Sequence, residues 1–476
     1  MSEPAASRAG AGAPPSPAEA WDALIRPEVE GSADYWADVS ARMREARLTF
    51  GGRPLCPFLR PFFLDAADEA RVRNAAETIA AIGERVVTAA MAQPELLRRV
   101  RLTEAETRLA RIDPGYGRAS TTSRLDAFLL PDSLTFAEYN AESPAGLAYA
   151  ENLGEVFDGL DVMARFRERF EASYFRLSTH LLDALLASYA EWGGRASPPT
   201  ILITDFREVP TWSEFLILKD RFEARGIPTV VADPRDLTFD GTALVAEGRR
   251  IDMVYRRVLV NDVIARADDC RVLVDAIASG TVCMANALRC KIPHKKAFFA
   301  LLTDEAVIGS GGLCPLSAAE RAVIGPAIPW TRVVEDSRTT SRDGGTIDLL
   351  AYAREHRESL VLKPNDEFGG TGVTLGWETS AAGWDAALEQ AVIASGPAEA
   401  ADRSWVLQHR IPIRRETFLA VSGPPHAVAQ RDMLVDFAPY LFRGRQVGCL
   451  TRLSGSGLAN VTSGGGQAAA FVVRAR

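Results

Sequence analysis

The stretch VLKPNDEFGGTGVTLGW concentrates chemistry: an apolar strand delivers Lys363, turns through Pro364, and reaches Glu367 just before Gly369, Gly370 and Gly372. Glycines let backbone amides approach phosphate oxygens, a lysine supplies a point charge, and a carboxylate can hold the Mg²⁺ that bridges them. The same pattern also serves plain turns between strands, and no GKS or GKT follows the glycines, so it is not a Walker A loop. A second group lies in LTFAEYNAESPAG, whose alternation points Glu138 and Asn140 from one strand face. Upstream, Arg124 and Asp126 share a face, and the turn signal Pro131, Asp132, Ser133 closes a hairpin that brings Asp126 beside Glu138. Three oxygen donors and one cation then converge, either as a metal site or as a solvated face of cross-strand charge pairs. Glu142 adds acidity or caps the next turn.

Two further segments carry charge. Arg452 precedes Ser454, Asn460, Thr462 and the glycines 464 to 466, a run that suits an anion nest or a flexible loop. Arg289 and Lys291 stand before Pro293 with a helix expected beyond it, where a cation can approach phosphate or simply face solvent.

The elements that must position these groups follow from periodicity. From Trp21 to about Thr107 the chain reads mainly helical, with Val72, Ala76, Ile79, Ile82 and Val86 near one face. Helix is expected again from Leu147 to about Trp192, ending at Gly193, Gly194 and the double proline at 198 and 199. Beyond it, TILITDF, WSEFLILKDRFEARG and IPTVVADP form a βαβ unit that opens a separate α/β lobe running to about Asn286. From Ala287 to Arg476 a helix at KKAFFALLTDE is followed by mostly antiparallel strands at SLVLKP, GVTLGW, SWVLQHRI, HAVAQRDMLVDFAPYLF and VGCLTRLS.

Taken together, these segments resemble the circularly permuted ATP-grasp enzymes, the group of eukaryotic glutathione synthetase and glutathionylspermidine synthetase, and most of all uncharacterised bacterial members. The resemblance runs in order from about Arg118 to the C-terminus: the RxD step at Arg124 and Asp126, the EFN-like step at Glu138 to Asn140, the KxP step at Lys291 to Pro293, the VLKP strand with Glu367, and an arginine, Arg452, before a terminal glycine loop. It implies an α/β ATP-grasp fold, circularly permuted, with an inserted α/β substrate-binding lobe. The organisation implied is a disordered tail over 1–20, a helical region with the metal-binding hairpin over 21–195, the substrate lobe over 196–286, and a nucleotide-binding region with a glycine-rich lid over 287–476. The activity implied is ATP-dependent, ADP-forming joining of a carboxylate to an amine through an acyl phosphate. Asp126, Glu138, Asn140 and Glu367 would hold Mg²⁺. Lys291, Lys363, the glycines Gly369, Gly370 and Gly372, and the hinge Leu407, Gln408 and His409 would hold ATP; Arg124 and Arg452 would take the substrate carboxylate and the developing charge. The hinge departs from many relatives, which carry an acid where Gln408 and His409 stand, and nothing resembles the amidase domain of the bifunctional enzymes. The substrates implied are a small acid and an amine, such as an amino acid, short peptide or polyamine, and a homodimer is among the assemblies open to the chain. The lobe would supply the acceptor pocket, with Arg256 and Arg257 as rim contacts or surface residues. A nucleotide-binding regulator without turnover, or a kinase that releases the acyl phosphate, would share the same residues.

Composition bounds the rest. At 476 residues and 47% hydrophobic the chain can bury a large core, which excludes a single small module. Lys and Arg number 54 against 62 Asp and Glu, a net charge of −8 that leaves no global field to attract nucleic acid. No apolar run approaches the ~18 residues of a membrane span, and the six cysteines form no CxxC, so buried reduced thiols in a cytoplasmic protein are expected rather than zinc. The opening twenty residues, rich in Ala, Pro, Gly and Ser, read as a disordered tail.

Overall fold

A computed structural model describes residues 14–31, 34–50, 52–367, 369–394, 404–422, 427–455 and 465–476. Its largest sheet is antiparallel, with Gly466–Ala468, Arg445–Ser454, Val428–Phe442, Thr122–Leu129 and Leu134–Asn140 in spatial order, and Arg415–Val421 also paired with Val428–Phe442. One face packs on the 27-residue helix Ala66–Ala92, which Asp65 caps by accepting from the Asp68 N–H at 2.7 Å. The five positions expected to share a helix face, Val72, Ala76, Ile79, Ile82 and Val86, are all buried in that core.

A second antiparallel sheet orders Thr331–Val333, Trp405–His409, Leu360–Pro364 and Thr374–Leu375. Behind it, Leu360, Leu362 and Leu407 pack on Leu349, Trp384 and Leu388 of two helices. The α/β lobe is a parallel sheet, Cys283–Ala285, Met253–Arg256, Ile201–Thr204 and Thr229–Ala232, with the helix Trp212–Ala224 crossing from Ile201–Thr204 to Thr229–Ala232 as the βαβ pattern requires. The fold is therefore mixed α/β, as expected.

Three details differ from the sequence reading. The stretch from Leu147 to Trp192 is interrupted by the strand Phe170–Tyr174, which pairs with the C-terminal strand Ala470–Ala475; that strand also pairs with Phe62–Asp65 inside the region read as helical. These short strands are created by partners distant in sequence, which local periodicity does not register. The segment KKAFFALLTDE is helical only over Ala297–Leu302, with a new helix starting at its last residue, Glu305, and a turn of helix at Lys291–His294 precedes it. A helix also begins at Pro17, within the stretch read as a tail, while residues 1–13 lie outside the described residues. All six cysteines are buried and free. Among the described residues no helix is long and apolar enough to cross a membrane.

The helix Leu147–Asp158 follows directly on the ESPAG loop and docks on Phe170–Tyr174 through Gly154, where a Cβ would stand 2.8 Å from the Tyr174 Cβ. Replacing Gly154 by Ala should therefore destabilise the fold by about 1–3 kcal/mol through overpacking, despite alanine's higher helix propensity. Urea denaturation checks this; an unchanged or raised midpoint would show that the two elements separate freely.

Candidate active site

The hairpin forms as read, with Asp126 opposite Glu138 and Arg124 opposite Asn140. Between these pairs and Ala127 opposite Phe136 the register shifts by one, so Ala137 is an extra residue. That bulge resolves a conflict of alternation: Phe136 enters the core beneath the sheet, while Glu138, two residues on, faces the opposite side. The polar face is not solvated, since Arg124 and Asp126 are 7% and 6% exposed.

Burial demands pairing. Arg124 donates from Nε and Nη2 to the two Asp126 carboxylate oxygens at 2.8 and 3.3 Å, and from Nη1 to the Ala145 carbonyl at 2.9 Å. Arg452 donates to Asp126 Oδ2 at 2.6 Å and also binds Asp436, the residue opposite it on the neighbouring strand. The Arg124 guanidinium lies 5.9 Å from the Tyr440 ring centre, and the Tyr440 hydroxyl donates to the same Ala145 carbonyl at 2.7 Å. Burial pushes the Asp126 carboxyl up, but Arg124 and Arg452 outweigh it and hold it well below the usual carboxylate range. For Asp436 burial wins over Arg452, with the Asp126 charge adding to it, and the carboxyl rises to about 6.

Facing this quartet is the second sheet. Lys363 and Gln408 share its open face, and the Lys363 ammonium donates to Gln408 Oε1 at 2.7 Å, while Gln408 Nε2 donates to Thr331 Oγ1 at 3.2 Å. Burial lowers the Lys363 pKa to about 8, against the opposing pull of Glu138, with which it shares one electrostatic environment. Leu407 and His409, read as hinge contacts, turn the other way: Leu407 lies in the core behind the sheet, and His409 packs beside Trp330 and accepts or donates to the Tyr352 hydroxyl at 3.0 Å. Of the three hinge side chains, only Gln408 faces the site.

Glu138 is half-buried, accepts from Asn140 Nδ2 at 3.1 Å, and lies 3.3 Å from the Lys296 ammonium. Burial raises its pKa and the Asp126 charge adds to this, but Lys296, Lys363 and the Asn140 amide together outweigh them and leave it lowered. Among the described residues no three acidic, histidine or cysteine side chains are grouped as a metal cluster. The donor chemistry nevertheless fits a hard divalent cation: two directly opposed carboxylates and an amide oxygen, all oxygen ligands, on one sheet face. In this arrangement guanidinium groups and Lys296 neutralise the carboxylates. Glu367 is exposed, and its carbonyl accepts from Lys296 Nζ at 2.6 Å.

The glycine loop is rooted firmly. Asn365 accepts from the Ala297 N–H at 2.7 Å, and Asp366 accepts from Lys291 at 2.8 Å and Lys295 at 2.6 Å, so Asp366 belongs to the anchor rather than to a closing segment. Beyond it Gly369, Gly370 and Gly372 are exposed and take φ of 66°, 80° and 73°, a left-handed conformation suited to glycine. Lys291, expected just ahead of a helix, opens one, and is 1% exposed between Asp366 and Glu142, 3.2 Å away. Glu142 is no simple turn cap: it also binds Arg256 at 3.2 Å and the Val260 N–H, tying the α/β lobe to the hairpin. Burial raises its pKa, and Lys291, His294 and Arg256 bring it down to about 2. Arg256 and Arg257, read as rim or surface residues, are 1% and 4% exposed. Of the terminal loop, Asn460, Thr462 and Gly464 lie outside the described residues; Gly466 sits in a buried strand where a Cβ would meet Pro57 at 2.7 Å.

Sequence reasoning missed Asp436 and Lys296, and read Asp366 as the start of the closing loop. For Asp436 a signal existed, an acid within the apolar strand DMLVDFAPYLF, where an unpaired charge would be costly.

With this geometry in place, comparison with solved structures is informative. A glutathione synthetase-like effector from Globodera pallida superposes with a TM-score of 0.57 at 12% identity, covering 94% of this chain and 97% of that one. The chain has a glutathione synthetase-like fold. A gamma-glutamylcysteine synthetase candidate from Methylobacillus flagellatus gives a TM-score of 0.39 at 10% identity over 80% of this chain and 83% of its own. The D-cycloserine synthetase DcsG gives 0.26 at 15% identity over 52% and 90%. At those scores neither bears on the fold. No protein-family model and no curated protein sequence matches the chain.

The Lys363 environment yields a pH prediction. Because its folded pKa of about 8 lies below the ordinary 10.5, the unfolded state binds more protons between these values, and stability from this group should rise as pH climbs from about 8 towards 10.5. NMR titration of ¹³C-methylated lysines should show a signal with a midpoint near 8 that is absent from Lys363→Met. Ordinary titration of every lysine would contradict the buried placement.

Proposed function

We propose that this chain is an ATP-dependent, ADP-forming carboxylate-amine ligase of the circularly permuted ATP-grasp kind, joining a small acid to an amine. The observation that carries this reading is the opposition of two differently charged walls: Arg124, Asp126, Arg452 and Asp436 on one sheet, and Lys363 on the other, in electrostatic reach of Glu138. A carboxylate is a poor acyl donor. Transfer of the γ-phosphoryl group of ATP to it creates a mixed anhydride that an amine can attack, with ADP and then phosphate as leaving groups.

The chain's own groups suit that sequence. Lys363 would neutralise phosphate oxygens from one wall, assisted by Lys296 and by Lys291 at the loop root. Arg124 and Arg452, pre-oriented by the carboxylates between them, would hold the substrate carboxylate in line and receive the charge that builds on it. The exposed glycine loop would bring backbone amides to the phosphates and exclude water from the anhydride. Glu138, Asn140, Asp126 and Glu367 would hold Mg²⁺, which when bound neutralises charge between phosphate oxygens.

For the amine, the lobe offers the carboxyl ends of its two central parallel strands, where Thr204 pairs with Arg256 and open α/β sheets commonly bind ligands. Thr204 Oγ1, Ser143 Oγ and the Nε atoms of Arg256 and Arg257 are buried there without hydrogen-bond partners. Burial, opposed by the Phe206 N–H and Arg257, raises the adjacent Asp205 carboxyl to about 6, a value suited to receiving a proton from an attacking ammonium.

A screen of amino acids, short peptides and polyamines for ADP release, with hydroxylamine as a general acceptor, tests the reading. The correct acid should give a hydroxamate in step with ADP, and Glu138→Gln should lower that rate by ~10²–10³ while retaining the fold. Hydroxamate formation untouched by Glu138→Gln would remove Glu138 from the site; AMP as product would overturn the proposed chemistry.

A further inference from the structure

Behind the second sheet lies a cleft of about 360 Å³ whose charge is unlike that of the protein as a whole. The chain carries a net charge of −8, yet the cleft wall holds five arginines, Arg98, Arg99, Arg101, Arg332 and Arg338, against the two carboxylates Asp304 and Glu335. Those carboxylates are already engaged, Asp304 by Arg99 at 3.0 Å and Glu335 by Arg101. Glu95, outside the wall, also pairs with Arg99 at 3.2 Å. Arg98 and Arg338 are exposed and, among the described residues, have no ion-pair partner.

Arg332 is the informative member. It is 6% exposed, and every acceptor it reaches is neutral: Thr339 Oγ1 at 2.7 Å, Thr303 Oγ1 at 3.0 Å, the Thr331 carbonyl at 2.7 Å and the Thr340 carbonyl at 2.8 Å. Its flat face lies over Trp330 with the guanidinium carbon 4.9 Å from the ring centre. Burial disfavours its charged form, and Asp304 opposes this only from a distance beyond ion-pair contact. A buried guanidinium fixed in orientation by neutral partners has its geometry set and its charge unbalanced, which is costly unless an anion completes the site.

We infer that this cleft binds a small, multiply charged oxyanion of phosphate-ester or polycarboxylate type. Its volume falls in the range of small-ligand sites, and planar guanidinium forks match the paired oxygens of both groups. The site is distinct from the facing sheets described above. Arg332 pairs in register with Leu407, whose side chain lies behind the sheet, whereas Thr331, Gln408 and Lys363 point to the other face. An anion held here would brace the Thr331–Val333 strand, and through it the Trp405–His409 strand to which it is paired.

Calorimetric titration of the full chain with pyrophosphate and, separately, with citrate, in the absence of Mg²⁺, tests the assignment. The expected result is a binding event retained in Lys363→Met, weakened about tenfold or more in Arg98→Ala/Arg338→Ala, and reduced by added salt. Both arginines are exposed, and an unchanged Tm of the double variant without probe establishes that its fold is intact. Binding of pyrophosphate alone would identify a phosphate site, and of citrate alone a polycarboxylate site; either supports the inference. No binding of either probe, or binding equally strong in the double variant, would overturn it.

Discussion

Four charges on one sheet face, the buried Arg124, Asp126 and Asp436 and the half-buried Arg452, set the terms for the molecule. Removing one partner from a buried ion pair costs ~3–5 kcal/mol, because the charge left behind has no water to turn to. The quartet therefore constrains the three strands that carry it to registers that keep guanidinium and carboxylate groups alternating. Asp126 is the shared member, bound by both arginines, and its depressed pKa keeps it ionised through the neutral range. The bulge at Ala137 satisfies the same constraint from the hairpin's other strand, freeing Phe136 for the core without turning Glu138 away.

The opposite wall is fixed by a second, separate group of charges. Lys295 bridges Asp366 and Glu106, both at close range, while Lys291 joins Asp366 to Glu142, and Glu142 reaches Arg256 in the lobe. The root of the glycine loop, the hairpin exit and the α/β lobe are thus held by one buried network, while the glycines beyond Asp366 remain exposed. Rigid walls around a conformationally permissive loop are what the proposed phosphoryl transfer would require.

Much of this was legible from the residues. The hairpin could be read because a Pro-Asp-Ser turn separates two alternating strands, and Lys363 because an apolar strand ends at a lysine followed by an acid and glycines. What could not be read depends on contacts far apart in sequence. Lys296 meets Glu138, and Asp436 meets Arg452, only after separate strands and helices are brought together. Arg256 and Arg257 look like surface residues on a short strand because nothing local announces the buried Glu142 and Glu214 that face them. The directions of the hinge side chains have a simpler origin: alternation along Trp405–His409 allows Gln408 to face the site only if Leu407 and His409 do not.

The claim on which the account rests is that oxygen passes from a carboxylate to phosphate between these two walls. The direct test is a reaction with an ¹⁸O-labelled acid substrate, an amine and ATP, followed by mass analysis of the phosphate released. One labelled oxygen in each inorganic phosphate, with ADP formed in equal amount, is the predicted result. Amide product accompanied by unlabelled phosphate would contradict the acyl phosphate route and the roles given to Arg124, Arg452 and Lys363.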